Sequence, residues 1–126
     1  MTAIHLTISY PPTSNHNTTV AEGRRISSAK YRSWRKLAEW EAKLSAAGRR
    51  IEGPYHITYV AQRPDRRRRD VENLPKSLSD AIQAAGVIRD DADCERSTVE
   101  WSAAGPTKDP KVFVLIEPIS VGAVAA

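Results

Sequence analysis

The segment Asp65-Arg66-Arg67-Arg68-Arg69-Asp70-Val71-Glu72-Asn73-Leu74-Pro75-Lys76 constrains this chain more than any other. Four consecutive arginines make a strong anion site, and two carboxylates and a lysine follow at once. Pro75 has no amide hydrogen and so fits a helix only in its first turn. A helix must therefore begin near Asn73, with Glu72 at or just before its start. The alternation of Tyr55, Ile57 and Tyr59 predicts a strand from about Pro54 to Gln62. A strand end, a basic loop, a pair of acids and a helix start thus follow in immediate succession, where functional groups gather in open sheets.

The remaining elements fall around this segment. Ile4, Leu6, Ile8 and Tyr10 alternate with polar residues as a strand that Pro11-Pro12 ends. Residues Thr13 to Arg25 are polar and predict a long loop. Ser27 or Ser28 can cap a helix running to about Ala47, stopped by Gly48, with Trp34, Leu37, Trp40, Leu44 and Ala47 as its apolar stripe. The second helix covers about Asn73 to Ala85, with Leu74, Leu78, Ile82 and Ala85 on one face and Gly86 as terminator. Val99, Trp101 and Ala103 suggest a third strand, and Val112 to Ile116 a fourth. The order β-α-β-α-β-β predicts an α/β (α+β) fold: one mixed, partly parallel sheet with helices packed on it, whose closing strands can pair as an antiparallel hairpin.

At 126 residues the expectation is one domain, 1–126, with residues from about 119 onward as a frayed tail. No apolar run approaches the roughly 18 residues of a membrane span, and no secretory signal is visible. The single cysteine, Cys94, excludes an internal disulfide and a cysteine-based zinc site. A reducing cytoplasm is the expected compartment, and the acceptor pattern Asn17-Thr18-Thr19 is expected to stay idle there. The net charge of +4 favours a polyanionic partner, though many ordinary proteins are as basic.

Glu72, Lys76 and Asp80 recur at four-residue steps, about 6 Å apart along a helix. Arg89-Asp90-Asp91-Ala92-Asp93 forms a second acidic cluster beyond that helix. If it folds back toward Asp70, three or four carboxylates converge. Mg²⁺ commonly takes one or two carboxylates plus phosphate and water, and Lys76 would add positive charge near the attacked phosphate. On spacing alone, the preferred reading of Glu72, Lys76 and Asp80 is a surface ion-pair ladder worth a few tenths of a kcal/mol per pair. Likewise Asp90-Asp91 suits a turn, and Arg66 to Arg69 a solvated loop. The density of acids, lysine and arginines within one short segment favours a site for cutting a nucleic-acid backbone. His5 and His56 fall in strands and read as structural, His16 as a surface histidine, the three tryptophans as core, and Cys94 has no evident basic partner. No phosphate-binding glycine loop or dinucleotide fingerprint occurs.

These residues resemble the RusA family of Holliday-junction resolvases. The match runs from Arg63 through Asp70, Glu72, Asn73 and Lys76, then Asp80-Ala81, then Ala85-Gly86 to Asp90-Asp91. Tyr10-Pro11-Pro12, Asn15 and Gly23-Arg24 also look like the family, and the likeness extends to about Pro118. The resemblance implies a Mg²⁺-dependent endonuclease, with Mn²⁺ as a substitute ion, acting in the nucleoid as a homodimer on four-way DNA junctions in recombination or repair. It places catalytic roles on Asp70, Glu72, Lys76 and Asp91, and metal ligation on Asp70, Glu72, Asp90 and Asp91. DNA contacts are expected from Arg24, Arg66, Arg67, Arg68, Arg69, Asn73 and Lys76. Independently of the family, paired symmetric nicks need two acidic clusters related by a two-fold axis. One departure stands out: the family's second acid is usually aspartate, and Glu72 reaches one methylene further. A misplacement of roughly 1 Å can cost about 10²-fold in rate. The alternatives are a branched-DNA-binding protein of this fold that cuts weakly or not at all, and a broader flap or fork nuclease.

Overall fold

The computed structural model describes residues 2–12, 18–21 and 24–119. His16, Asn17, Gly23 and the tail from residue 120 lie outside the described residues. The elements run β1 (Ile4–Ser9), β2 (Thr18–Ala21), β3 (Arg24–Ser27), α1 (Ala29–Ala46), β4 (Tyr55–Ala61), α2 (Leu74–Ala84), β5 (Cys94–Trp101) and β6 (Lys111–Pro118). Two 3₁₀ turns, Val71–Asn73 and Asp91–Asp93, lie before and after α2. The fold is mixed α/β, as the element pattern predicts, with a four-stranded sheet ordered β1-β6-β4-β5. β6 is antiparallel to both neighbours and β5 is parallel to β4.

Two departures from the expected topology follow from tertiary pairing. The predicted loop from Thr13 to Arg25 contains instead an antiparallel hairpin, Thr18–Ala21 against Arg24–Ser27. Its few apolar residues do not show the alternation that marks β1 and β4. The last two strands do not form a hairpin: β6 inserts between β1 and β4 and leaves β5 at the edge. The continuous apolar run of β6 reflects that central position, since Val112, Val114 and Ile116 face the core while Phe113 and Leu115 cover the other face.

One face of the sheet carries the core. Ile4, Leu6 and Ile8 of β1, Tyr55, Ile57, Tyr59 and Ala61 of β4, and Val112, Val114 and Ile116 of β6 are all buried there. α2 contributes Leu74, Leu78, Ala81 and Ile82. α1 starts at Ser28, whose hydroxyl accepts from the Tyr31 amide, and ends at Ala47 in the left-handed region with Gly48 following. Its buried face shares only Trp34 with the predicted stripe. Trp34, Ala38, Ala42 and Ala46 are buried, whereas Leu37, Trp40 and Leu44 are 43%, 60% and 58% exposed. The reason is distance. Alanines let the helix approach β1 closely enough for polar side chains to reach its backbone. The Glu41 carboxylate accepts from the Ser9 amide and hydroxyl, both at 2.8 Å, and the Ser45 hydroxyl accepts from the Thr7 amide at 3.2 Å. Trp34 donates its indole N–H to the Ser9 carbonyl at 2.8 Å.

This assignment of faces is open to a paired stability measurement. Leu78→Ala removes a fully buried side chain and is expected to cost about 2–5 kcal/mol in urea unfolding. Trp40→Ala, despite removing a larger side chain, is expected to change stability by less than about 0.5 kcal/mol in the free chain. The reverse ranking would restore the predicted stripe as the buried one.

Candidate active site

The loop leaving β4 is held by its own charges. Asp65 accepts from the Arg67 amide at 3.0 Å and from Arg69 Nε and Nη2 at 3.1 and 2.6 Å. This two-pronged bond holds the Asp65 carboxyl below the usual carboxylate range, with desolvation opposing it, and raises the Arg69 guanidinium above its ordinary value. The Arg69 side chain is only 19% exposed, so one of the four arginines is committed to shaping the loop. Arg66, Arg67 and Arg68 are exposed and form the outward part of the anion site, with Arg67 also 4.0 Å from the Asp65 carboxylate. At the base of this loop, Arg63 lies 4.6 Å over the Trp101 ring, and Tyr10 stacks beside Trp101 at 6.3 Å. Arg24 opens β3, and its side chain lies outside the described part of the structure.

The acids sit on the two 3₁₀ turns, and in each turn the first acid closes the backbone. Asp70 accepts from the Glu72 amide at 3.0 Å, and Asp90 from the Ala92 amide at 2.9 Å. Asn73 precedes α2 without a side-chain cap, and Pro75 stands in the first turn as predicted. The chain reverses at Gly86, whose φ of 80° suits glycine. The second acidic segment then returns to the start of α2. Its position is set by the Asp91 amide, which donates to Gln83 Oε1 at 3.1 Å, and by Arg89, which holds Asp93 at 2.9 Å.

The result is a cleft of about 220 Å³ lined by Tyr55, Ile57, Tyr59, Pro75, Lys76, Ser79, Asp91, Cys94 and Ser97. Lys76 and Asp91, predicted from opposite ends of the motif, line it together. Lys76 is 79% exposed and pairs with Asp80 at 3.3 Å, which realises one rung of the ladder read from the spacing. Glu72 is exposed, and neither it, Asp70 nor Asp90 lines the cleft. Among the described residues no three carboxylate, imidazole or thiol groups converge into a metal-holding cluster. The available donors are nevertheless hard carboxylate oxygens, the type Mg²⁺ binds when phosphate and water complete its shell.

The cleft's floor went unnoticed in the sequence. Tyr55 and Tyr59 read only as strand residues, yet their phenols reach under the acids. Burial raises both above the ordinary tyrosine value. Cys94 and then Asp91, Asp93 and Asp90 push Tyr55 further, while Tyr59 shares a hydrogen bond with Ser79 that acts the other way. Both phenols stay protonated, so the floor is polar but uncharged. Burial also raises the Cys94 thiol, with Glu95 and Asp91 adding to the shift, and the thiolate is disfavoured. Iodoacetamide labelling of native protein, followed by mass spectrometry across pH, should therefore show Cys94 reacting more slowly than in urea and titrating above a free cysteine. Equal rates in both states would contradict this environment.

Residues 9–117 match the family model described as Endodeoxyribonuclease RusA. The chain is 35% identical over 92 residues to the crossover junction endodeoxyribonuclease rusA of Enterobacteria phage 82, covering 73% of this chain and 77% of that one. It is 33% identical over 92 residues to its counterpart in Escherichia coli K12, with the same coverage. Against the Aquifex aeolicus protein of that name it is 31% identical over 80 residues, 64% of each chain. The matched span runs from the end of β1 through β6 and includes the arginine loop, both 3₁₀ turns and the cleft, and the chain belongs to the RusA endodeoxyribonuclease family.

Proposed function

We propose that this protein is a Mg²⁺-dependent endonuclease that resolves four-way DNA junctions by paired, symmetric nicks, acting as a homodimer on DNA in the cytoplasm. The observation that carries this reading is the shared cleft of Lys76 and Asp91 at the start of α2, within a chain of this family. Asp70, Glu72, Asp90 and Asp91 are the residues that would hold the ion. When bound, Mg²⁺ supplies neutralising charge at the phosphate and favours attack by water. Lys76, exposed at the cleft mouth, can exchange Asp80 for the phosphate or the departing sugar oxygen. Arg66, Arg67 and Arg68 bind backbone phosphates, while Arg69 keeps the loop that presents them in shape. Asn73, at the junction of the first 3₁₀ turn and α2, and Arg24 complete the proposed DNA contacts. No described element inserts a base-reading helix, so recognition rests on backbone and branched shape.

A second reading, binding without cutting, draws on one observation: the acids do not gather into a three-donor group within the described residues. A labelled four-way junction incubated with protein and Mg²⁺ or Mn²⁺ decides between them, with flap and duplex substrates as comparison. Paired nicks are expected on the junction. Asp70→Asn or Asp91→Asn should abolish them while leaving binding intact, and Lys76→Ala should slow cleavage by about 10²–10³-fold. Tight binding with no nicks in either metal would establish the second reading. In a salt titration of junction binding, replacing Arg66, Arg67 and Arg68 together by alanine should reduce the slope of log K against log salt by about 2.7, at about 0.9 per phosphate. An unchanged slope would remove the arginine loop from the DNA interface.

A further inference from the structure

The two edges of the sheet are treated differently. At the β1 edge, the outward amides of Thr7 and Ser9 are taken by Ser45 and Glu41 of α1. Arg49 donates to the Thr2 and Ala3 carbonyls just before that strand. That edge is covered by α1. At the other edge lies β5, eight residues long and exposed over most of its length. Ser102 donates its amide to the Ala61 carbonyl. Backbone groups alternate along a strand, so Arg96, Thr98 and Glu100 point theirs at β4, while Ser97 and Val99 point theirs outward. Among the described residues nothing bonds the Ser97 or Val99 amide. An open edge of this length is a template for another strand.

The side chains of β5 specify which strand. Arg96 and Glu100 share the helix-free face of the sheet with His56 and Val60, their β4 partners. Neither makes an ion pair among the described residues. Four residues apart on an extended strand, they are about 13 Å from each other and cannot pair within one chain. We propose that β5 is the dimer seam: it pairs antiparallel with β5 of a second copy about a two-fold axis at Thr98, setting Arg96 of each protomer opposite Glu100 of the other. This inference rests on the homodimer reading above and deepens it.

The alternation supports that register. Ser97 of one copy and Val99 of the other face each other with their free amides and carbonyls, forming the hydrogen-bonded pairs. Arg96 and Glu100 then fall at the non-hydrogen-bonded positions, where cross-strand side chains approach most closely. Shifting the axis to Arg96 or Glu100 would place identical charges opposite each other. Shifting it to Ser97 or Val99 forms no Arg–Glu pair at all. The strand therefore favours one register and penalises its neighbours.

The seam also places the cleft. A two-fold axis perpendicular to a continuous sheet puts both α2 helices on the same face. Ser97 and Cys94 line the cleft from β5 itself, so the two clefts would flank the axis. With strands about 4.8 Å apart, the two β4 strands that floor them would lie about 14 Å apart across the seam. Two reaction centres facing one way suit a substrate bound on one surface.

Analytical ultracentrifugation without DNA tests the seam on the full chain, with circular dichroism to confirm folding. R96E and E100R should each raise the dimer dissociation constant by about 10- to 100-fold, because each places like charges opposite twice. The double variant R96E/E100R should return it toward the starting value. W40E, on the exposed stripe of α1, should leave it unchanged. A dimer indifferent to both single reversals, dissociation by W40E alone, or a monomer at every concentration would overturn the seam. Junction nicking is read separately. The charge pattern without nicks would support the seam and sink the nuclease reading, and nicks from a dimer that ignores these charges would do the opposite.

Discussion

The close approach of α1 to β1 is the contact on which the other placements depend. Ala38, Ala42 and Ala46 give the helix so little bulk on that side that Glu41 and Ser45 touch the strand backbone. Larger side chains there would gain apolar area but would hold the helix too far out for those bonds. Once α1 is fixed, Arg35 reaches across and donates to the Asp80 carbonyl of α2 at 3.1 Å. Asp80 in turn meets Lys76. The position of the cleft lysine thus traces back, through two helices, to a row of alanines packed against the opposite edge strand of the sheet.

The cleft is built from turns that the acids themselves hold. Asp70 and Asp90 each spend one carboxylate oxygen on a backbone amide two residues on. Local folding and the proposed chemistry therefore share the same side chains. The buried phenols below contribute polarity without charge, which keeps the floor from competing with the acids for an incoming cation. On the basic side, Arg69 is similarly divided from its neighbours: it shapes the loop, and Arg66 to Arg68 face solvent.

How far the sequence spoke for itself depends on whether local signals agreed with tertiary ones. Pro75, Ser28 and Gly86 are punctuation whose geometry is local, and they marked α2 and α1 within a residue or two. The alternation of β1 and β4 was equally plain, because one face of each is buried. The face of α1 misled, because hydrophobic size suggested Trp40 and Leu44 where closeness required alanine. The hairpin of β2 and β3 has no alternation to betray it. In the site, the segment Asp70 to Lys76 and the second acidic segment are legible as motifs, but the sequence suggests convergence on Asp70, whereas the fold sets Asp91 beside Lys76. Tyr55 and Tyr59 were not, since a strand tyrosine under a helix looks like any core aromatic. The edge position of β5 could not be read either, because sequence order suggested a hairpin with β6.

That insertion of β6 has a consequence for how the chain is made. Its residues, the last described strand, join β1 to β4 in the middle of the sheet. Until they are available, β1 has no strand partner among the described residues, and β4 has β5 alone there. A ribosome-bound chain lacking residues 111–118 can therefore form α1, α2 and the β4–β5 pair but not the sheet. Closure of the sheet therefore waits on the long-range pairing of residues 111–118.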